Sequence, residues 1–159
     1  MKKIISVKNL YIFIFLLSLF SFLSALYIEH ILGAMPCKLC IYQRIPYLVA
    51  IFTSIIGYIF LNQKLWLYII LLVFFSSFLL AGYHSGIENS IFAEFKGCVS
   101  DNNNLLNKEQ ILNSFDEIAP NCKDVKFRIL GFSLATLNMF ISLIIVIISL
   151  FLIKTYENK

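Results

Sequence analysis

Charged residues are scarce in this sequence. Only 14% of its 159 residues are Asp, Glu, Lys or Arg, whereas 60% are hydrophobic. An ordinary soluble domain carries about 25% charged residues, so this composition excludes that class. The sequence also lacks internal repeats, low-complexity tracts and any basic cluster suited to nucleic acid. Its length predicts one domain, a single integral membrane unit over residues 1–159.

Charge is rarest in four apolar blocks, which cover about 10–28, 41–61, 65–83 and 129–153. None contains Lys, Asp or Glu, and Arg44 lies just inside the second. Each block has roughly the 20 residues that a helix needs to cross about 30 Å of hydrocarbon. Because backbone polar groups cannot be satisfied by lipid, the sequence predicts an all-α membrane protein, a four-transmembrane-helix antiparallel bundle. The first block also invites interpretation as a signal peptide, but it is longer than a typical signal core and no Ala-x-Ala-like site follows.

The few charges that remain predict the orientation. With four spans, the two termini and the loop 62–64 share one side, which holds six basic residues against one acid: Lys2, Lys3, Lys8, Lys64, Lys154 and Lys159, with Glu157. The segment Ser85–Arg128 has five basic and seven acidic residues. The positive-inside rule then places both termini in the cytoplasm and the loops 29–40 and 85–128 outside. We therefore expect a multi-pass membrane protein whose external loops face a bacterial periplasm or its equivalent.

The external segment has its own apolar pattern. Ile87, Ile91 and Phe95 follow at i, i+4 and i+8, and a weaker stripe includes Leu105 and Leu112. This spacing predicts short amphipathic helices on the bilayer surface. A loop that packs its apolar residues onto the bundle is the open alternative.

The sequence has only four cysteines, and all lie between the apolar blocks, on the predicted periplasmic side, where disulfides are permitted. Cys37 and Cys40 are separated by two residues, which brings both sulfurs within bonding reach at a helix start. Arg44 follows Cys40 at i+4, and a nearby cation favours a thiolate. We interpret the pair as redox-active. An inert staple and half of a zinc site are the alternatives, and zinc is weak because Cys98 and Cys122 are not a second close pair.

Cys98 and Cys122 lie far apart in the long external segment. A disulfide across such a loop should be accessible and easily exchanged. Two pairs on one face, one in a loop and one at the membrane surface, indicate a relay. Electrons would arrive at one pair and leave from the other.

These motifs, in their order, resemble one known family. The sequence resembles the disulfide bond formation protein B (DsbB) family over nearly its whole length, through Pro36-Cys37-Lys38-Leu39-Cys40-Ile41-Tyr42-Gln43-Arg44, Gly82-Tyr83-His84-Ser85-Gly86-Ile87-Glu88, the two later cysteines, Gly131-Phe132-Ser133-Leu134 and Asn138. The resemblance implies a quinone-dependent membrane thiol oxidoreductase. It would oxidise a periplasmic DsbA-like dithiol protein and pass the electrons to a membrane quinone, either ubiquinone or menaquinone.

The resemblance also implies a role for each site residue. Cys98 would be attacked by the thiolate of the DsbA-like protein, and Cys122 would leave and attack Cys37. Cys40 would then be freed as a thiolate and donate electrons to the quinone. Arg44 would hold the quinone and stabilise that thiolate. No metal is implied.

Three further polar residues lie in or beside the apolar blocks. His84 would either pass a proton to reduced quinone or be an interfacial histidine satisfied by water or Glu88, and we favour the second interpretation. We expect Glu29 to be interfacial as well. Asn138, inside the fourth block, is expected to be buried and to hydrogen-bond a neighbouring helix.

Two other functions fit parts of the pattern. A small membrane scaffold or transporter could use its disulfides only to staple loops, and would show no thiol reactivity in the native state. A relative of vitamin K epoxide reductase would share the quinone chemistry. That family places its Cys-x-x-Cys pair late in the chain, whereas here the pair is early.

The orientation can be tested with reporter fusions. A reporter that is active only in the periplasm should be inactive when fused after Lys159 and active when fused near Asn103. The cause is the six-to-one excess of basic residues on the side of the termini. Reporter activity in a series of fusions is the measurement, and the reverse pattern would contradict the topology.

Overall fold

The computed structural model describes residues 2–60, 64–93, 121–123, 125, 128–129 and 131–157. Its elements, in chain order, are the helices α1 (Lys2–His30), α2 (Lys38–Tyr42), α3 (Arg44–Ile59) and α4 (Leu65–Glu88), the strands β1 (Arg128–Ile129) and β2 (Phe132–Ser133), and the helix α5 (Leu134–Glu157). Within these residues, four segments are long and apolar enough to cross a membrane: Val7–His30, Lys38–Ile59, Leu65–Glu88 and Leu134–Thr155. The predicted four-span helical architecture is confirmed.

Helix α1 packs against α3, α3 against α4, and α4 against α5. The main buried cluster joins these helices and includes Tyr11, Ile14, Ile70, Phe74 and Ile145. A second, smaller cluster is formed by Cys37, Leu39, Ile87 and Cys122, with Cys40 against it. Large apolar side chains on the outer faces stay exposed, as lipid contact requires (Phe20 is 71% exposed). The cysteine cluster is therefore a core of its own, separate from the core between the helices.

The second predicted span is interrupted near its start. We expected one helix over about 41–61, but the structure has a short α2, a turn at Gln43 and then α3. Pro46 has no N–H, so the carbonyl of Tyr42 loses its usual helical partner there. The Gln43 side chain is buried at the break, with 8% exposed. The proline thus places a polar amide inside the bundle.

Helix α4 runs further than predicted and then stops. We expected the span to end at about residue 83 and a surface helix to carry Ile87 and Ile91. Instead Ile87 is buried in α4, and Ile91 is exposed in a bend after it. Ser90 has φ 60°, and Ile91 N–H bonds to Gly86 C=O at 2.8 Å. This is the Schellman ending of a helix, so the predicted amphipathic stripe from Ile87 is wrong. Phe95 and the second stripe lie outside the described residues.

The fourth span begins later than its apolar sequence predicts. Residues from Ile129 were expected to be helical, but β1 and β2 pair as an antiparallel hairpin, with Ile129 opposite Phe132. Gly131 between the strands has φ 87°, a conformation that favours glycine. Ser133 then accepts a hydrogen bond from the Thr136 N–H at 3.1 Å, which caps the start of α5. The turn at Gly131 and the cap at Ser133 therefore start the helix at Leu134, although the apolar run begins at Ile129.

A glycine allows the close approach of α1 to α3. A Cβ at Gly57 would lie 2.5 Å from a ring carbon of Tyr11, whereas a Cβ at Gly82 would lie 3.7 Å from its nearest neighbour. Gly57→Ala should therefore overpack the interface and lower the free energy of unfolding by about 1–3 kcal/mol. Gly82→Ala, in ordinary contact, is the matched control and should be neutral or stabilising. Unfolding in detergent measures both, and equal stability of the two variants would contradict the predicted clash.

Candidate functional site

The two close cysteines form the start of α2. Cys37 is the N-cap residue, and its Sγ accepts a hydrogen bond from the Cys40 backbone N–H at 3.2 Å. The two sulfurs lie 2.7 Å apart and are free thiols. Cys37 is buried and Cys40 partly so. This arrangement holds a thiol pair ready to form or open a disulfide.

The surroundings of Cys37 favour its thiolate. The hydrogen bond from the Cys40 thiol is the largest influence and lowers the pKa of Cys37 to about 4. Burial opposes this effect, while a hydrogen bond from His84 and its charge add to it. A thiolate at neutral pH is both a nucleophile and a good leaving group.

His84 lies against this thiol pair and not at a wet surface. It is 3% exposed, and its Nε2 lies 3.6 Å from Cys37 Sγ and 3.7 Å from a Glu88 carboxylate oxygen. Its Nδ1 lies 2.9 Å from the amide nitrogen of Gln43. The expectation of an interfacial position with water as the partner is therefore wrong, whereas Glu88, the other expected partner, does lie against this histidine. The extension of α4 to Glu88 explains the difference, because it keeps His84 inside the bundle.

Cys122 reaches the same point from the other side. It is 2% exposed and is part of a disulfide. Its Sγ, the Cys37 Sγ and a ring nitrogen of His84 all lie within 4.8 Å of one another. Cys98, its expected partner, lies outside the described residues. Three such ligands are close enough for a metal, but the disulfide leaves Cys122 no thiolate to offer. The geometry instead brings a disulfide sulfur next to a thiol.

Arg44 is placed at the site but has a partner that the sequence did not predict. It forms an ion pair with Glu29 at the end of α1. Glu29 was expected to be simply interfacial, whereas the structure uses it to tie α1 to the start of α3. Both side chains are partly exposed. The pair delivers a guanidinium to the cysteine end of the bundle.

A cavity of about 420 Å³ opens between these residues. Its polar lining includes Cys40, Arg44, Tyr47, His84 and Asn138. Most of the remaining lining is apolar: Phe20, Phe22, Ala25, Ile28, Ala34, Met35, Leu134, Ala135, Leu137 and Ile141. Such a cavity suits a largely apolar ligand with a few polar atoms.

Sequence reasoning missed Gln43 and Tyr47 as members of the site. Gln43 contacts His84, and the Tyr47 hydroxyl donates to Asn138 Oδ1 at 2.6 Å. The buried position and hydrogen bonds of Asn138 were expected and are confirmed. The available signal was a polar residue at i and a tyrosine at i+4 in an otherwise apolar span, which places both on one helix face.

Comparison with known proteins agrees with this site. The family model described as "Disulfide bond formation protein DsbB" matches residues 7–152. The chain belongs to the DsbB family. A protein of Rickettsia prowazekii (strain Madrid E), named "Uncharacterized protein RP370", is 30% identical over 145 residues, covering 86% of this chain and 83% of that relative. Membership of the DsbB family makes this protein a membrane disulfide oxidoreductase.

The lowered pKa of Cys37 has a measurable consequence. In the reduced protein, Cys37 should be alkylated by iodoacetamide at a rate that is already near its plateau at about pH 5–6, because the thiolate dominates above its pKa of about 4. Cys40→Ala removes the largest cause and should move the midpoint towards an ordinary thiol value, whereas Cys40→Ser keeps a hydroxyl donor and should move it less. Peptide mass spectrometry over a pH series measures the rate. A wild-type midpoint near about pH 8.5 would contradict the assignment.

Proposed function

We propose that this protein oxidises a periplasmic DsbA-like dithiol protein by disulfide exchange and passes the electrons to a membrane quinone. One observation carries the proposal. The disulfide sulfur of Cys122 lies within 4.8 Å of Cys37 Sγ, and Cys37 and Cys40 both line an apolar cavity in the bundle. Disulfide exchange and an apolar binding site therefore meet at one pair of residues.

The exchange steps balance without a further reactant. A thiolate of the partner attacks Cys98 and forms a mixed disulfide, and the electron pair of the broken bond leaves with Cys122. Cys122 attacks Cys37 of the Cys37–Cys40 disulfide, and Cys40 leaves as a thiolate. The second thiolate of the partner then attacks the mixed disulfide, which releases the oxidised partner and the Cys98 thiolate. Cys98 attacks Cys122 of the Cys122–Cys37 disulfide, and Cys37 leaves as a thiolate. Two electrons thus reach the Cys37–Cys40 pair, and the Cys98–Cys122 disulfide is restored. The role of Cys98 rests on the family resemblance, and that of Cys122 rests also on its position beside Cys37.

The cavity fits a quinone. Its apolar walls suit a ring and an isoprenoid tail, and Arg44 and His84 would hold a carbonyl end near Cys40. Arg44 pairs with Glu29, yet a guanidinium has five N–H donors, so one can face the cavity. A quinone, when bound, supplies a two-electron acceptor. The reaction also explains the membrane location, because quinones dissolve in lipid while the partner is soluble.

This function requires the orientation that the charges predict. The cysteines would face the periplasm of a bacterial cell, both termini would lie in the cytoplasm, and the protein would sit in the inner membrane with its lipid and quinone pool. Nucleic acid has no place in this function.

The proposal predicts that electrons pass through both cysteine pairs in turn, so that turnover needs all four cysteines. With a reduced DsbA-like protein and a soluble quinone analogue, the purified protein should turn over, and each Cys→Ser variant should not. In a separate incubation with the oxidised partner, Cys122→Ser should accumulate a mixed disulfide, because the Cys98 thiolate attacks the partner's disulfide and no Cys122 thiol is present to resolve the product. Ser76→Ala, whose hydroxyl bonds only its own helix backbone at Val73, is the control and should keep activity. Quinone absorbance and non-reducing gels measure these outcomes.

Arg44 separates the quinone step from the disulfide steps. Arg44→Ala should raise the quinone KM by roughly ten- to a hundredfold, as loss of a hydrogen bond from a charged donor implies. The quinone KM of Arg44→Lys should lie between those of the unchanged protein and Arg44→Ala, because lysine keeps the charge but lacks the planar guanidinium. An unchanged quinone KM in Arg44→Ala would show that Arg44 does not bind the quinone. For the cysteine variants, turnover that persists in Cys98→Ser or Cys122→Ser would show that the loop disulfide is only structural.

A further inference from the structure

A chain of buried amides leads from the middle of the bundle to His84. Asn138 of α5, Gln43 between α2 and α3, and His84 of α4 are each at most 8% exposed. Asn138 Nδ2 donates to Gln43 Oε1 at 3.0 Å, and Gln43 Nε2 lies 2.9 Å from His84 Nδ1. The chain joins three helices that are far apart in sequence.

Hydroxyl groups surround the oxygen of Asn138 at the inner end of this chain. Asn138 Oδ1 accepts hydrogen bonds from Tyr47 at 2.6 Å, from Ser142 at 3.2 Å and from Ser77 at 3.4 Å. An oxygen that accepts these bonds turns the Asn138 NH₂ group towards Gln43. The Gln43 oxygen takes that bond, so the Gln43 NH₂ group faces the histidine.

An amide NH₂ group can only donate, and the Nδ1 that receives it must therefore be unprotonated. In a neutral imidazole the proton then sits on Nε2. The surroundings of Nε2 agree, because it faces acceptors: Cys37 Sγ at 3.6 Å, a Glu88 carboxylate oxygen at 3.7 Å, and the backbone of Cys122. The two sides of the ring thus support the same tautomer independently.

We propose that Gln43 and Asn138 are positioning residues that hold His84 as its Nε2–H tautomer, so that the imidazole donates a hydrogen bond to the sulfur of Cys37. The catalytic consequence rests on the proposed function; the tautomer itself does not. When the Cys98 thiolate attacks Cys122 of the Cys122–Cys37 disulfide, its electron pair forms the new Cys98–Cys122 bond. The pair of the broken bond moves onto Cys37 Sγ, where the Nε2–H stabilises it.

The opposite direction of the amide chain would undo this arrangement. A Gln43 oxygen turned towards the ring would call for a proton on Nδ1, and a neutral ring would then have no proton to donate to Cys37. Gln43→Glu imposes that change by design, because a carboxylate only accepts. Asn138→Leu removes the donor that orients Gln43 and should let both amide directions occur.

Nitrogen NMR of the full-length protein tests the tautomer directly. The sequence has two histidines, so His30→Gln in ¹⁵N-histidine-labelled protein leaves His84 as the only signal. At about pH 8, where an ordinary imidazole is neutral, we expect an unprotonated Nδ1 and a protonated Nε2, a protonated Nδ1 in Gln43→Glu, and a mixture in Asn138→Leu. Ser76→Ala is the control and should leave the spectrum unchanged. The spectrum of the His30→Gln protein by itself decides the tautomer, so this result does not depend on whether Gln43→Glu and Asn138→Leu fold.

A second measurement tests the consequence for Cys37. At about pH 8, where an ordinary imidazole is neutral, the glutathione equilibrium of the Cys37–Cys40 pair should shift towards the disulfide by up to roughly tenfold in Asn138→Leu relative to Ser76→Ala, because part of the molecules lose a hydrogen bond that stabilises the Cys37 thiolate. A protonated Nδ1 in the starting protein, or spectra unaltered by both variants, would overturn the inference. Loss of quinone turnover with the expected tautomer intact would instead count against the proposed function.

Discussion

The structure depends on one constraint, that polar groups inside a lipid-embedded bundle must find their partners within the protein. Asn138, Gln43 and His84 meet it by bonding one another across three helices. Hydrogen bonds of this kind join helices where lipid provides no hydrophobic drive for association. The same bonds fix the register of α3, α4 and α5 around the cysteines. The hydrogen bonds that satisfy Asn138, Gln43 and His84 therefore also hold the site together.

The interruption of the second span serves this arrangement. A continuous helix would keep its backbone bonded through Tyr42, and Pro46 prevents that. The resulting turn separates α2, which contains Cys40 and is capped by Cys37, from α3. It also places Gln43 inside the bundle. Glu29 and Arg44 then tie this turn to α1. The missing N–H of Pro46 thus separates α2, at the thiols, from α3, which runs along the apolar core.

Electrostatics give the two thiols different characters. Cys37 receives hydrogen bonds and lies beside His84, which favours its thiolate. Cys40 is less buried and lines the mostly apolar cavity together with Cys37. Cys122 completes the group as a disulfide sulfur at the same depth. One thiol is thereby suited to exchange with a disulfide, while its neighbour faces the space where an apolar acceptor would fit.

The sequence by itself determined the four spans and the Cys-x-x-Cys pair, because apolar blocks of membrane length and a two-residue spacing are local properties. It misplaced helix ends at Glu88 and Leu134, where the φ of Ser90 and Gly131 ends one helix and delays the other. It also took His84 for an interfacial residue. Only the tertiary structure decided that His84 meets Cys37, that Glu29 pairs with Arg44, and that Gln43 bonds Asn138. Each of these contacts joins residues at least 15 positions apart, and no local pattern records which helix faces will meet.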